Sequence, residues 1–454
     1  MGSGVWFGEQ ELVRRIRELP ESTSLQVDPR HEFRQKIDPL KLRKIERQEF
    51  REIGEVSYLM LGVTARLYGE LLANKSLFPK EGRDYFRQAL EASLTRRQKR
   101  LQRVNPNESP RFFRVDCLLV RKEDGSFGAV TNEIEGGKPI GLGFGVFTQT
   151  VRQEIYRDSG PGLIEAMAAS LYDFNGKEPI VHILAEDQLF YLPEQELFCQ
   201  KMREMGTPIF LVREKDLQLR DSRVLFSKED STNKIFSLPL FNPLKSGKGS
   251  EEELLTYLYE RGNIKVFIPP NGFLGTKAVY GLVHHPFFRV LYEDALRRAG
   301  MEEAIIDKYF PHSCLITGSS FEKERLLLEM GVMSNPPVMI KAVGLSATRG
   351  LAFPSEQLEM ERLLGVAREK PFEYLIQEFK PQVAHDVKIS AGDGIQEENQ
   401  FFRLAAFYVV LNGRAELAEV VGTGLGAPLA SIERPAVHGN LACTMFPVTF
   451  DNYE

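Results

Sequence analysis

Apolar residues recur at helical spacing along 45–72, where Ile53, Val56, Leu59, Met60, Val63 and Leu67 share one side. That period predicts a long helix with one buried face. The segment 83–104 carries Phe86, Leu90, Leu94 and Leu101 on one side and reads as a second, continuous helix. Asn105-Pro106-Asn107-Glu108-Ser109-Pro110 then stops it, since proline and asparagine disfavour helical continuation. Beyond this break the texture changes. Two strand-like runs, 112–120 and 127–134, flank the turn Glu123-Asp124-Gly125-Ser126 and predict a β-hairpin. A glycine-rich stretch, 136–145, follows.

Next come an apolar strand at 179–185, an amphipathic helix at 194–205 and a strand at 208–212, a β-α-β pattern. A second hairpin is predicted from 223–226 and 234–238, then a helix over 251–261 and a strand over 264–268. Pro269-Pro270-Asn271-Gly272 marks a boundary. The region 274–331 reads as helix-rich, followed by strands at 338–343, 374–379, 404–411 and 415–421.

Composition narrows the class. In 454 residues, 43% are apolar and 27% charged, which excludes wholesale disorder. Lys and Arg number 58 against 63 Asp and Glu, a net charge of −5 that offers no global attraction for nucleic acid or anionic membrane. Four cysteines without a C-x-x-C pair make neither a disulfide scaffold nor a structural zinc site. The most apolar run, 401–411, is too short to span a bilayer and carries Arg403. No secretory pattern opens the chain, so a reducing cytoplasmic setting is expected. The basic run Arg96, Arg97, Lys99, Arg100 and Arg103 has no interleaved aromatics and reads as a solvated helix face.

Four constellations carry candidate chemistry. On the predicted hairpin, Arg114 and Asp116 point to one face, as do Glu133 and Glu135, because side chains alternate along a strand. Three carboxylates and one arginine side by side cannot form a dry core. They face water, balanced by Arg114, or bind a hard cation such as Mg²⁺. Spacing leaves both readings open. Gly275-Thr276-Lys277 precedes a predicted helix; it is not a Walker A motif, and by itself reads as an exposed cap lysine sooner than as a point charge meeting a phosphate. Lys341 sits inside an apolar strand, an expensive place for an ammonium. The loop after it, Gly344-Leu345-Ser346-Ala347-Thr348-Arg349-Gly350, is small enough for backbone N–H groups to approach an anion. The pair suggests a phosphate clamp, against a tight turn with a snorkelling lysine. Finally, Gln377-Glu378-Phe379 ends an apolar strand where backbone groups could meet an adenine edge, or simply run into solvent.

Other motifs carry less. His284-His285-Pro286 reads as surface histidines, and Gly141-Leu142-Gly143-Phe144-Gly145 as lacking the strand–loop–helix context of a dinucleotide loop. Neither a Gly-x-Ser-x-Gly elbow nor His-Glu-x-x-His is present.

In their order and spacing, the four constellations resemble the circularly permuted ATP-grasp ligases, that is, eukaryotic-type glutathione synthetase and the synthetase domain of glutathionylspermidine synthetase. The match runs over 111–423. It implies an α+β, circularly permuted ATP-grasp fold. A helical region would span 1–110, a metal-binding hairpin and glycine-rich segment 111–177, an inserted α/β substrate domain 178–270, and the nucleotide-binding region with a C-terminal lid 271–454. It further implies ATP held by Lys277, Lys341, the loop Ser346 to Gly350 and Gln377, Glu378 and Phe379. Mg²⁺ would sit on Asp116, Glu133 and Glu135, and Arg114 would steady the transferring phosphoryl group. The implied reaction joins a small carboxylate to an amine through an acyl phosphate, releasing ADP and phosphate. Amino acid, peptide and polyamine substrates are all open, and the family's dimers suggest a homodimer. A lapsed ATP-binding module and an ATP-dependent phosphotransferase are the alternatives. This chain departs from the family in having Glu135 where asparagine is usual, Leu345 and Ser346 in the phosphate loop, and a loose Val421-Gly422-Thr423-Gly424-Leu425-Gly426 where the lid is expected.

Overall fold

The computed structural model describes residues 34–36, 40–42, 44–73, 79–121, 127–137, 141–154, 156, 162–184, 192–213, 217–220, 223–226, 237–241, 257, 259–262, 265–317, 337–344, 350–391, 394–426 and 444–450. Two short strands, β1 (Arg34–Lys36) and β2 (Leu40–Leu42), precede the long helix α1 (Lys44–Leu72). The second predicted helix is broken in two, α2 (Lys80–Glu91) and α3 (Arg96–Leu101). The cause is local. Thr95 caps α3, accepting from the Gln98 N–H while the Gln98 side chain accepts from the Thr95 N–H.

The hairpin forms as expected from β3 (Phe112–Arg121) and β4 (Phe127–Glu135). Helices α4 (Leu142–Glu154) and α5 (Leu163–Asn175) follow. Then comes the β-α-β unit, with β5 (Ile180–Leu184), α6 (Leu192–Glu204) and β6 (Ile209–Arg213). The second hairpin differs from expectation. It joins β7 (Leu217–Arg220) to β8 (Arg223–Phe226), while β9 (Ser237–Phe241) runs parallel to β5. The strand expected at 264–268 is reduced to a bridge at Val266.

A 3₁₀ turn, Gly272–Gly275, leads into α7 (Ala278–His284), α8 (Pro286–Arg298) and α9 (Ile305–Tyr309). The remaining elements are β10 (Ser313–Leu315), β11 (Val338–Ala342), β12 (Leu351–Ala352), α10 (Gln357–Glu369), β13 (Tyr374–Glu378), β14 (Ala384–Ala391), β15 (Gly394–Leu411), β16 (Arg414–Gly426) and β17 (Thr444–Phe450).

The largest sheet runs β14-β1-β17-β16-β15-β3-β4, with β2 on β17. Period-2 burial gives it two working faces. On one, Val115, Cys117, Leu404, Ala406, Tyr408 and Val420 pack against Phe50, Ile53, Val56 and Met60 of α1. On the other, Phe112, Phe407, Val409 and Val421 meet Leu142, Val146, Leu163 and Met167 of α4 and α5. Phe198 and Cys199 of α6 join that second core, so the β-α-β unit packs directly onto it. Each fully buried Leu, Ile or Phe side chain contributes roughly 1.5–3 kcal/mol, so these faces dominate the fold's stability.

A second, antiparallel sheet has the order β10-β13-β11-β12. Its Val338, Ile340 and Ile376 are covered by Met360, Leu363 and Ala367 of α10. The opposite face carries Met339, Lys341, Gln377 and Phe379. Among the described residues, no helix is long and apolar enough to cross a membrane.

Candidate active site

The β3–β4 register places Arg114 opposite Glu135 and Asp116 opposite Glu133. The face-sharing expected from alternation is therefore present. Between Asp116 and Cys117 the register shifts, and Asn132 is the extra residue of a bulge. A bulge turns backbone and side-chain oxygens away from the ladder, and Lys341 uses them. Its Nζ donates to Asn132 Oδ1 at 2.6 Å and to the Asn132 carbonyl at 3.4 Å.

Lys277 arrives from the 3₁₀ turn at the head of α7 and pairs with Glu133 at 2.6 Å. Two backbone bonds fix this approach. The Lys277 N–H donates to Val343 O, just past β11, at 3.1 Å, and the Gly136 N–H donates to Leu274 O at 2.9 Å. The two lysines thus converge on adjoining residues of β4. Burial, and after it the neighbouring Lys277 charge, push the Lys341 ammonium down to about 7, with Glu133 opposing. Both lysines are more than nine-tenths buried. Two ammonium groups so close and so poorly hydrated are held at a cost, which a polyanion arriving between them would relieve.

Arg114 lies along its own strand and forks Asp116, with Nε to Oδ1 at 2.8 Å and Nη2 to Oδ2 at 3.2 Å. Burial opposes its charge, but the carboxylates of Asp116, Glu135 and Glu133 outweigh that and hold the guanidinium more firmly protonated than usual. Asp116 also meets Nη1 of Arg403 at 3.3 Å. Arg403 was visible in the sequence as the lone charge in an apolar run, but no local pattern ties it to Asp116. The β15–β3 register does, pairing Arg403 with Leu118 one step along the same face.

Gln377 is buried and donates to Ser313 Oγ at 3.0 Å. The N–H groups of Glu378 and Phe379 donate to the carbonyls of His312 and Pro337, each at 2.8 Å. Phe379 instead offers its ring, packed with Met339, Phe353 and Leu351 in a small apolar cluster. That cluster lies on the same face of the second sheet as Lys341. Gly350, at φ 67°, lies against β11, its carbonyl accepting from the Ala342 N–H at 2.7 Å. Ser346, Ala347, Thr348 and Arg349 lie outside the described residues.

Three readings change. Residues 141–145 do open a helix, α4, that follows strand β4 in the chain, but the anion at that helix start is internal: Glu194 accepts from the Gly141 and Gly143 N–H groups. His284 is not a surface residue. It is buried, and burial lowers its pKa to about 4. Gly422 and Gly424, read as a loose lid, lie inside β16, paired to β15 and β17. The sequence offered no signal for Glu194, whose partners are some fifty residues distant.

The three expected metal ligands are not gathered as a metal site. Asp116 and Glu133 are each engaged by protein cations, and Glu135 stands opposite Arg114. Among the described residues, no group of three His, Cys, Asp or Glu side chains is placed to hold a metal.

No protein-family model matches the chain, and no curated protein matches it. Among solved structures, a glutathione synthetase-like effector, GSS30, of Globodera pallida in its apo form superposes with a TM-score of 0.59 at 11% identity, over 98% of each chain. A protein assigned as a gamma-glutamylcysteine synthetase from Methylobacillus flagellatus KT gives a TM-score of 0.41 at 13% identity, over 86% of this chain and 88% of that one. The second is too distant to carry an argument. The first speaks for the fold alone, and there the mixed helix-and-sheet architecture is similar to that of a glutathione synthetase-like protein from end to end.

Proposed function

We propose that the chain is an ATP-dependent ligase that joins a small-molecule carboxylate to an amine, on a circularly permuted ATP-grasp fold. One observation carries this reading. Lys277 and Lys341, from different elements, converge on Glu133 and Asn132, and Lys341 shares a sheet face with the apolar cluster of Met339, Leu351, Phe353 and Phe379. Lysines suited to phosphates and an apolar platform suited to a base lie on one surface.

In this reading the cluster packs the adenine, and Lys277 and Lys341 hold the phosphates. Arg114, kept cationic by its carboxylate neighbours, balances charge on the phosphoryl group as it passes to the substrate acid. The activated acid is then displaced by the amine, in a setting where water must be kept out. Substrates of the amino acid, peptide and polyamine classes fit the chemistry equally. The carboxylates have hard oxygens, as Mg²⁺ prefers, but their engagement by Arg114, Arg403 and Lys277 does not fit a ready metal site, and no step is assigned to a metal.

A second reading, nucleotide binding without turnover, is favoured by the two guanidinium groups on Asp116. One experiment separates them. Purified protein is incubated with ATP and pooled amino acids, peptides and polyamines, and ADP and coupled products are followed by mass. ADP that appears only with one acid and one amine, and a product equal to their sum less water, supports the ligase. ATP-dependent thermal protection without ADP supports the second reading. Neither response would remove both.

A further inference from the structure

Glu194 belongs to α6, inside the β-α-β unit, yet its carboxylate is completely buried against the loop beside Arg114. Oε1 accepts from the Gly141 N–H at 3.1 Å and Oε2 from the Gly143 N–H at 3.2 Å. These are donors at the head of α4, where intrahelical acceptors are missing and a negative charge is favoured. The two elements touch backbone to backbone, since a Cβ on Gly143 would collide with the Glu194 main chain. On its other side, Gly141 lies against Arg114. A Cβ there would fall 3.3 Å from Arg114 Nη1 and 3.2 Å from the Phe407 ring, and φ is 92°. Glu194 thus holds Gly141, while Leu274 O, just ahead of Lys277, accepts from the Gly136 N–H.

Behind Glu194 stands a relay. Gln195 Nε2 donates to Glu194 Oε1 at 3.0 Å, which turns Gln195 Oε1 toward His182 Nε2 of β5, 2.6 Å away. His182 Nε2 is then the donor. A buried carboxylate is costly unless its bonds compensate it, so Glu194 is poorly explained as packing.

We propose that Glu194 is a positioning residue: the tether by which the β-α-β unit fixes Gly141 to Gly143, at the head of α4, against Arg114. Its consequence for nucleotide binding rests on the reading above. Burial raises the Glu194 carboxyl to about 7, with Gly141, Gln195, Arg114 and Gly143 pulling the other way. The charged or titratable groups facing it are Arg114 from β3 and, through Gln195, His182 from β5. Protonation removes an acceptor from the helix head, so the tether loosens as pH falls through this range.

The test uses the full chain, Glu194→Gln and a fluorescent ATP analogue as probe, with hydrogen exchange read over 141–146. Glu194→Gln should exchange faster in that segment while the α1 segment stays protected. Probe affinity should drop roughly tenfold, as expected for one charge-assisted hydrogen bond. The ratio of wild-type to Glu194→Gln affinity should also fall toward one from about pH 8 to about pH 6, since the Lys341 titration acts equally in both proteins. Should the Gln variant not fold, Glu194→Asp, which keeps the charge but is one methylene short, should show the same local loosening. Unchanged exchange over 141–146 in a folded variant overturns the tether. If the wild type binds no probe, the nucleotide reading has failed, and the exchange result alone decides on the tether.

Discussion

Lys341 Nζ donates to Asn132 Oδ1 at 2.6 Å, so a strand of the smaller sheet is pinned to a bulge of the larger one. The bond joins the surface with the apolar cluster to the surface with the carboxylates. Burial first, and then the Lys277 charge, depress the Lys341 pKa to about 7, against the pull of Glu133.

That depression makes a prediction with a definite sign. Between 7 and the ordinary lysine value the unfolded chain binds a proton that the folded chain does not, so stability rises with pH across this window. ATP phosphates beside Lys341 restore its charge. Binding should therefore take up close to one proton at about pH 8.5, and affinity should weaken as pH rises further. Calorimetry in two buffers of different ionisation enthalpy measures the uptake. Lys341→Arg should flatten this alkaline limb, and uptake unchanged in that variant would remove Lys341 from the phosphate site.

The engagement of Asp116 by Arg114 and Arg403 predicts that ATP binding depends little on free divalent metal. Adding EDTA should change the dissociation constant by less than about tenfold, or 1.4 kcal/mol. Arg403→Met removes one guanidinium from Asp116 and should make the affinity more sensitive to Mg²⁺. A wild-type protein that loses ATP entirely in EDTA would show that the carboxylates rearrange around a metal.

How much of this was legible follows from the range over which each signal acts. Arg114, Asp116, Glu133 and Glu135 were legible because alternation on a hairpin is local. The bulge at Asn132 was not, since a register shift leaves the alternating pattern of either strand intact. Lys341 announced itself as a charge in an apolar strand; its nearness to Lys277 depends on a backbone bond to Val343 across distant segments. Thr95 and Gln98 spelled a capping box that the surrounding helical period concealed. His284 looked exposed beside His285 and Pro286, because the period of α7 that buries it is only two turns long.

Gly54 sets helix propensity against packing. It sits in the middle of α1, where alanine is ordinarily better by about 1 kcal/mol. Here a Cβ would drive into the ring of Tyr408, which is fully buried and anchored by its hydroxyl to Phe50 O at 2.6 Å. Overpacking of a fixed ring costs roughly 1–3 kcal/mol, so the clash wins. Gly54→Ala should lower stability by about 1–2 kcal/mol in a urea titration. A gain in stability would mean that α1 can shift away from the sheet.

His284 supplies the acid-side prediction. Its Nδ1 donates to Tyr280 O at 2.9 Å, and its ring stands edge-on to His312 with centroids 4.7 Å apart. Burial first, and the His312 charge to a lesser degree, lower its pKa to about 4; the Tyr280 carbonyl and Asp307 work the other way. Between that value and the ordinary histidine range the unfolded chain holds a proton that the folded chain refuses. The neutral ring therefore contributes stability that is complete above about pH 6.5 and is lost as pH falls toward 4, up to about 3 kcal/mol. His284→Gln, which keeps a donor but does not titrate, should flatten the fall in unfolding free energy between those limits. It should leave the Lys341-dependent alkaline rise in place, because Lys341 sits on β11 beside Asn132 and titrates independently. An identical acid slope in both proteins would assign the loss to other groups.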